Sequence, residues 1–139
     1  MRTELELIRR AREAREKAYV PYSGFRVGAA LEAEDGTVYT GCNIENAAFS
    51  PTCCAERTAF FKAVSEGVTS FRRIAVVGGH KGQEATETAC PPCGVCRQVM
   101  REFCDPESFR ILLAGSDDQV KSYLLKELLP EGFGPDFLS

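Results

Sequence analysis

The chain has 139 residues, 44% of them hydrophobic and 27% charged, and its 17 basic and 20 acidic side chains leave a net charge of −3. That composition suits one globular domain over residues 1–139 and argues against a disordered chain. The acidic balance disfavours a nucleic-acid partner, and no apolar run approaches the roughly 18 residues of a membrane span.

The first element is expected to be an amphipathic helix over residues 3–18, with Leu5, Ile8, Ala11, Ala14 or Arg15, and Ala18 at three- and four-residue steps. Its five Arg and one Lys between positions 2 and 17 alternate with four Glu, as on a solvated helix face rather than a polyanion-binding stripe. The charged start is unlike a secretory signal, so a cytoplasmic setting is expected. Pro21 and Gly24 mark a loop. A hairpin follows, with strands at 26–33 and 37–41 joined by Glu34, Asp35 and Gly36.

Residues 43–52 look irregular. Cys54 to Glu66 has a helical pattern with Gly67 as its C-cap, and Arg73 to Val77 is a short strand ending at Gly78 and Gly79. Residues 79–91 lack apolar periodicity and are expected to be a loop. Gly94 to Phe103 forms another helix and Phe109 to Ala114 another strand. A turn at Ser116 to Asp118 leads to a strand near 119–121, and residues 123–129 to a last helical turn or two. The order predicts an α/β fold of three layers, α/β/α, with a mixed sheet of about five strands.

Seven cysteines without a secretory signal point to metal or redox chemistry rather than a disulfide framework. Two clusters stand out, both at expected helix starts: Cys54, Ala55, Glu56, and Pro92, Cys93, Gly94, Val95, Cys96. Cys93 and Cys96 are one turn apart, so both sulfurs can face one ion, with Cys54 coming from the other helix. Three protein ligands and one open position are the pattern of catalytic zinc, and helix N-termini stabilise thiolates. Glu56, two positions past a ligand, can lie beside the metal without binding it. There a carboxylate can take a proton from water and pass it to a substrate nitrogen. Zinc-dependent base deaminases carry this signature, H-x-E followed by P-C-x-x-C, or three Cys, with Cys54 here at the His position. Three thiolates around Zn²⁺ sum to −1, and Arg57 is expected to offset that charge by donating to a ligand sulfur. Arg97 likewise follows Cys96 directly.

With these residues in place, the chain resembles the small, homotetrameric, three-cysteine cytidine deaminases over nearly its whole length. The matching runs are Tyr19 to Gly24, Val27 to Ala30, Gly41 to Ala47, Cys54 to Ala59, Pro92 to Val99 and Leu128 to Pro135. The resemblance implies one Zn²⁺ per chain, held by Cys54, Cys93 and Cys96, with Glu56 as general acid and base. It implies ribose binding by Asn43 and Glu45, a pocket lined by Phe25, and recognition of the pyrimidine amide edge by Glu56 and the Ala55 backbone. Phe133 resembles an aromatic that stacks on the base, with neighbouring subunits of a homotetramer completing each site. Phe49 departs from the pattern, since many relatives carry Tyr there.

The implied reaction is hydrolytic deamination of cytidine and deoxycytidine in cytoplasmic pyrimidine salvage. A structural zinc module remains open, and would need a fourth sulfur from Cys90, Cys42 or Cys53. So does thiol redox through Cys93 and Cys96. Among deaminases, a nucleoside-antibiotic enzyme and a polynucleotide editor are the rivals; the Asn43–Asn46 run favours a ribose-binding nucleoside enzyme. Cys42, Cys53, Cys90 and Cys104 are expected to pack, and His80 to be a solvated loop side chain.

Overall fold

The computed structural model describes residues 3–80, 89–115 and 119–139. The expected turn at Ser116 to Asp118 and positions 81–88 of the expected loop lie outside the described residues. Helix α1 spans Glu4–Arg15, and strands β1 and β2 span Phe25–Ala33 and Val38–Cys42. Helix α2 is Ala55–Ser65, β3 is Phe71–His80, and α3 is Gly94–Phe103. Strands β4 and β5 cover Arg110–Ala114 and Val120–Leu124, followed by the short helix α4 at Leu125–Leu128 and a 3₁₀ turn at Pro135–Phe137.

The five strands form one sheet in the order β2-β1-β3-β4-β5. Among the described strands only β3 and β4 run parallel, joined by a crossover that includes α3; the other neighbours are antiparallel. The sheet is therefore mixed, as expected. Its side chains alternate between two cores. On one face Leu7, Ile8 and Ala11 of α1 pack on Ala30, Ala75, Val77, Leu112 and Ala114. On the other, Phe60 of α2 and Met100 of α3 join Leu31, Ile74, Val76, Phe109 and Ile111.

Two glycines let helices ride directly on sheet backbone. A Cβ on Gly28 would lie 2.0 Å from the Ala11 carbonyl of α1, and one on Gly41 would lie 2.4 Å from the Ala55 carbonyl of α2. Side chains at either position would push a helix off its face.

Several elements differ from the sequence reading. Helix α1 stops at Arg15, three residues early, and ends in a turn in which Lys17 and Ala18 donate to the Ala14 and Arg15 carbonyls. Its apolar stripe runs through Leu7, Ile8, Ala11, Ala14 and Arg15, while Leu5 is 69% exposed. The spacing admits either stripe, and packing selects the one that faces β1. Strand β3 runs on through Gly78 and Gly79 to His80, because these residues pair with Val27, Arg26 and Phe25 of β1. Strand β5 continues to Leu124 through pairing with β4, which shortens the last helix.

Candidate active site

Both cysteine clusters fall at helix starts on the same face of the sheet. Cys54 is the N-cap of α2 and Cys93 the N-cap of α3, each with extended backbone and no side-chain cap bond, so their sulfurs are available to point elsewhere. Cys96 sits one turn inside α3 and is 1% exposed. The Cys54 and Cys93 sulfurs are 3.7 Å apart, those of Cys93 and Cys96 3.5 Å apart, and all three lie within 4.8 Å of one another. Zn–S bonds of about 2.3 Å at tetrahedral angles would set sulfurs about 3.8 Å apart, so this trio fits a zinc ion. Among the described residues the cluster holds three candidate ligands and not the four of a closed structural site.

The electrostatics suit a cation. Hydrogen bonds from Cys96, Arg57 and Cys93 pull the Cys54 thiol down to about 5, against the opposing effect of burial. Cys96 moves the other way, because its proton serves the bond to Cys54 and its side chain is buried. The Arg57 guanidinium donates to the Cys54 sulfur, and that bond raises its own proton affinity. The expected Arg57–sulfur contact is therefore present.

Glu56 is 4% exposed. Burial pushes its carboxyl up to about 7; the Cys54 charge adds to the rise and Arg57 opposes it. A carboxyl near neutrality can both accept and release a proton at working pH. Ala55, the first residue of α2, is fully buried where helix N–H groups lack intrahelical partners.

Segment 43–45 reaches the cysteines through isolated bridges. Tyr19 and Cys53 both pair with Ile44, so the backbone beside Cys54 is tied to that between Asn43 and Glu45. The Asn43 amide spans β1, donating to the Phe25 carbonyl at 2.9 Å and accepting from the Val27 N–H at 2.9 Å. The Glu45 carboxylate accepts from the N–H groups of Tyr22 and Ser23 and from the Ser23 hydroxyl. Asn43 keeps one amide hydrogen, and Glu45 Oε2 one lone pair, for another partner. Tyr22, Ser23, Glu45, Phe49 and Thr52 line a cavity of about 340 Å³. Phe49 holds φ +62° and meets Tyr22 edge-on.

The Phe25 ring lies over the bare Cα of Gly78, and the Cys90 sulfur abuts the same spot. His80 is the last residue of β3 rather than a loop side chain, and its ring meets Phe25 edge-on at 5.2 Å. Phe133 stacks on Phe137 at 5.3 Å, and its carbonyl accepts from Gln98 on the exposed flank of α3. Within this chain Phe133 is thus placed beside α3 with other exposed apolar side chains, Phe137 and Leu138.

Two residues noted in the sequence acquire their contacts only in the fold. Arg97 donates to the Pro92 carbonyl at 2.8 Å and the Leu128 carbonyl at 2.6 Å, clamping the approach to Cys93 onto α4. Its place directly after Cys96 was the available signal. Cys90 is partly buried against the site's wall, and burial, then the Glu56 charge, raises its thiol to about 11. Nothing in residue type distinguishes it from Cys104, a core thiol 7% exposed.

Comparison with known proteins agrees with this geometry. The family described as "Cytidine and deoxycytidylate deaminase zinc-binding region" matches residues 1–111. The chain is 53% identical over 134 residues to the cytidine deaminase of Sporosarcina psychrophila, covering 96% of this chain and 93% of the relative. It is 50% identical over 127 residues to that of Halalkalibacterium halodurans, covering 91% of each. The crystal structure of cytidine deaminase from Burkholderia pseudomallei superposes with a TM-score of 0.85 at 45% identity, over 95% of this chain and all of that one. A matched zinc-binding region, relatives at half identity and a three-sulfur cluster of zinc dimensions converge: the chain belongs to the cytidine deaminase family.

Proposed function

We propose that this chain hydrolyses cytidine and deoxycytidine to uridine and deoxyuridine with release of ammonia, in cytoplasmic pyrimidine salvage, with residues 1–139 acting as one catalytic domain. The observation that carries the reading is the convergence of three sulfurs beside a buried carboxyl whose proton affinity is raised toward neutrality. The relatives at 53% and 50% identity are cytidine deaminases, which supports it.

Cys54, Cys93 and Cys96 would hold the ion, one per chain. When bound, zinc supplies the Lewis acidity that makes water a competent nucleophile near neutral pH. Glu56 accepts the proton of the attacking water at its carboxylate. It then delivers that proton to N3 of the pyrimidine, takes the second proton from the new hydroxyl on C4, and passes it to the amine as the C4–N bond breaks and ammonia leaves. Arg57 draws charge from the Cys54 sulfur, which keeps a thiolate-rich site electrophilic. The free amide hydrogen of Asn43 and the open lone pair of Glu45 Oε2 bind ribose hydroxyls. Phe25 shapes the pocket, and the Ala55 backbone with Glu56 reads the amide edge of the base. Phe133, exposed on the flank of α3, serves a neighbouring subunit's base in a homotetramer.

The test is conversion of cytidine to uridine by the purified, zinc-loaded protein, with Glu56→Gln beside it. Conversion by the parent and none by the variant, with zinc retained in both, is expected. No conversion together with four-sulfur coordination would overturn the reading in favour of a structural site.

A further inference from the structure

The three residues assigned above to the nucleoside pocket are joined through the backbone of Phe25 and one hydroxyl. Ser23 Oγ donates to Glu45 Oε2 at 2.5 Å and accepts from the Phe25 N–H at 3.0 Å. The Phe25 carbonyl in turn accepts from the Asn43 amide. The other carboxylate oxygen, Glu45 Oε1, takes the N–H groups of Tyr22 and Ser23 at 3.0 and 3.1 Å. Those two bonds fill the lone pairs of Oε1 and leave Oε2 as the oxygen with room for a ligand. Without the Ser23 hydroxyl the carboxylate would keep its anchor at Oε1 but could turn about it. Ser23 itself is exposed and belongs to neither core, so its hydroxyl is not needed to fill space.

We propose that Ser23 is a positioning residue for sugar recognition: its hydroxyl fixes Oε2 of Glu45 in the direction from which a ribose hydroxyl donates, and locks that direction to the Phe25 backbone. This rests on the reading that Glu45 binds the sugar. A fixed acceptor loses less freedom when the nucleoside arrives, so the hydroxyl acts on binding rather than on the chemical step. Charge-assisted bonds to the Ser23 hydroxyl and to the Ser23 and Tyr22 N–H groups also hold the Glu45 carboxylate below its ordinary range, in the anionic form that accepts.

The experiment compares Ser23→Ala, Ser23→Thr and Glu45→Gln as zinc-loaded enzymes. It measures KM and kcat for cytidine and the inhibition constant of 2′,3′-dideoxycytidine, which lacks the 2′ and 3′ hydroxyls and keeps the 5′ hydroxyl. Ser23→Ala should raise the KM for cytidine roughly 5- to 10-fold, the size of one weakened hydrogen bond to a charged group, with kcat within about twofold. The inhibition constant of the dideoxynucleoside should stay within about twofold of the parent's, and Ser23→Thr should restore cytidine binding. Equal losses on both nucleosides would show a merely structural serine and overturn the proposal. An unchanged KM in Ser23→Ala, while Glu45→Gln weakens cytidine alone, would overturn it and leave the Glu45 reading standing. If Glu45→Gln weakened both nucleosides alike, the sugar-binding reading of Glu45 would fall, and this proposal with it.

Discussion

Arg57 stands one helical turn after Cys54, and its guanidinium meets the Cys54 sulfur at 3.3 Å. The side chain thus bridges the charge of a thiolate at the mouth of α2 to a position within the helix. Replacing it with Gln should leave the fold intact but expose an uncompensated anionic ligand set. Arg57→Gln should lose zinc faster to a chelator and turn over roughly 10- to 100-fold more slowly, as for other groups that support metal ligands. Metal content after dialysis and kcat check both; parent values in each would sink the role.

Glu56→Gln removes the proposed proton carrier with little change of shape. Turnover should fall by roughly 10²- to 10⁴-fold, the usual range for a general acid–base residue. Zinc should remain stoichiometric, since none of the three sulfurs is touched. Metal analysis of the inactive variant separates this from collapse of the site.

The same carboxyl gives a pH signature in the zinc-free protein. Its folded value of about 7 lies above the 4.5 of a free Glu side chain. Between those two values the folded chain binds more protons than the unfolded one. Its stabilising contribution is therefore complete below the lower value and is lost as the pH rises through the upper. Measured against Glu56→Gln, the parent should lose on the order of 2–3 kcal/mol between pH 5 and pH 8. Urea unfolding of both proteins at the two pH values tests this, and a constant difference between them would refute it.

Cys93 and Cys96 should behave alike toward zinc and differently without it. Alanine at either position removes one sulfur, so both variants should fail to hold the metal. In zinc-free protein Cys96→Ala should also cost about 1 kcal/mol, because that side chain is 1% exposed and packs in the larger core. Cys93→Ala, at an exposed position, should stay within about 0.5 kcal/mol of the parent. Thermal or urea unfolding after chelation makes the comparison.

Gly41→Ala tests how closely α2 must lie on the sheet. The new methyl would fall 2.4 Å from the Ala55 carbonyl and 2.6 Å from the Ala59 nitrogen, both rigid backbone. The helix must shift, and Cys54 and Glu56 move with it. Stability should drop by about 1–3 kcal/mol, and activity should drop further than stability alone explains. Melting temperature and kcat on the same preparation distinguish the two effects.

The sequence was most legible where a few residues carry a distinctive chemistry. Cys54, Cys93 and Cys96 could be grouped because helical spacing puts two on one turn and an identical start brings in the third. The α/β order and the mixed sheet followed from alternating patterns. What stayed hidden depended on partners distant in the chain. Gly78 and Gly79 looked like a strand's end, and only pairing with β1 keeps them in β3. Leu5 was read into the apolar stripe, but packing against β1 buries Leu7 and leaves Leu5 exposed. Ser23 and Cys90 owe their places at the site to loop conformations that residue type does not encode.

The two faces of the sheet are fastened unequally. The face that carries the sulfurs is filled by Phe60, Phe71, Phe109 and Met100, whereas the α1 face relies on Leu7, Ile8 and a few alanines and small aliphatics. Peeling α1 away therefore exposes Leu7, Ile8 and small side chains but none of the aromatic rings that fill the opposite core. Amide hydrogens of α1 should exchange with solvent through a partial opening that leaves Cys54, Cys93 and Cys96 together. The molecule can breathe on one side while its chemistry stays shut on the other.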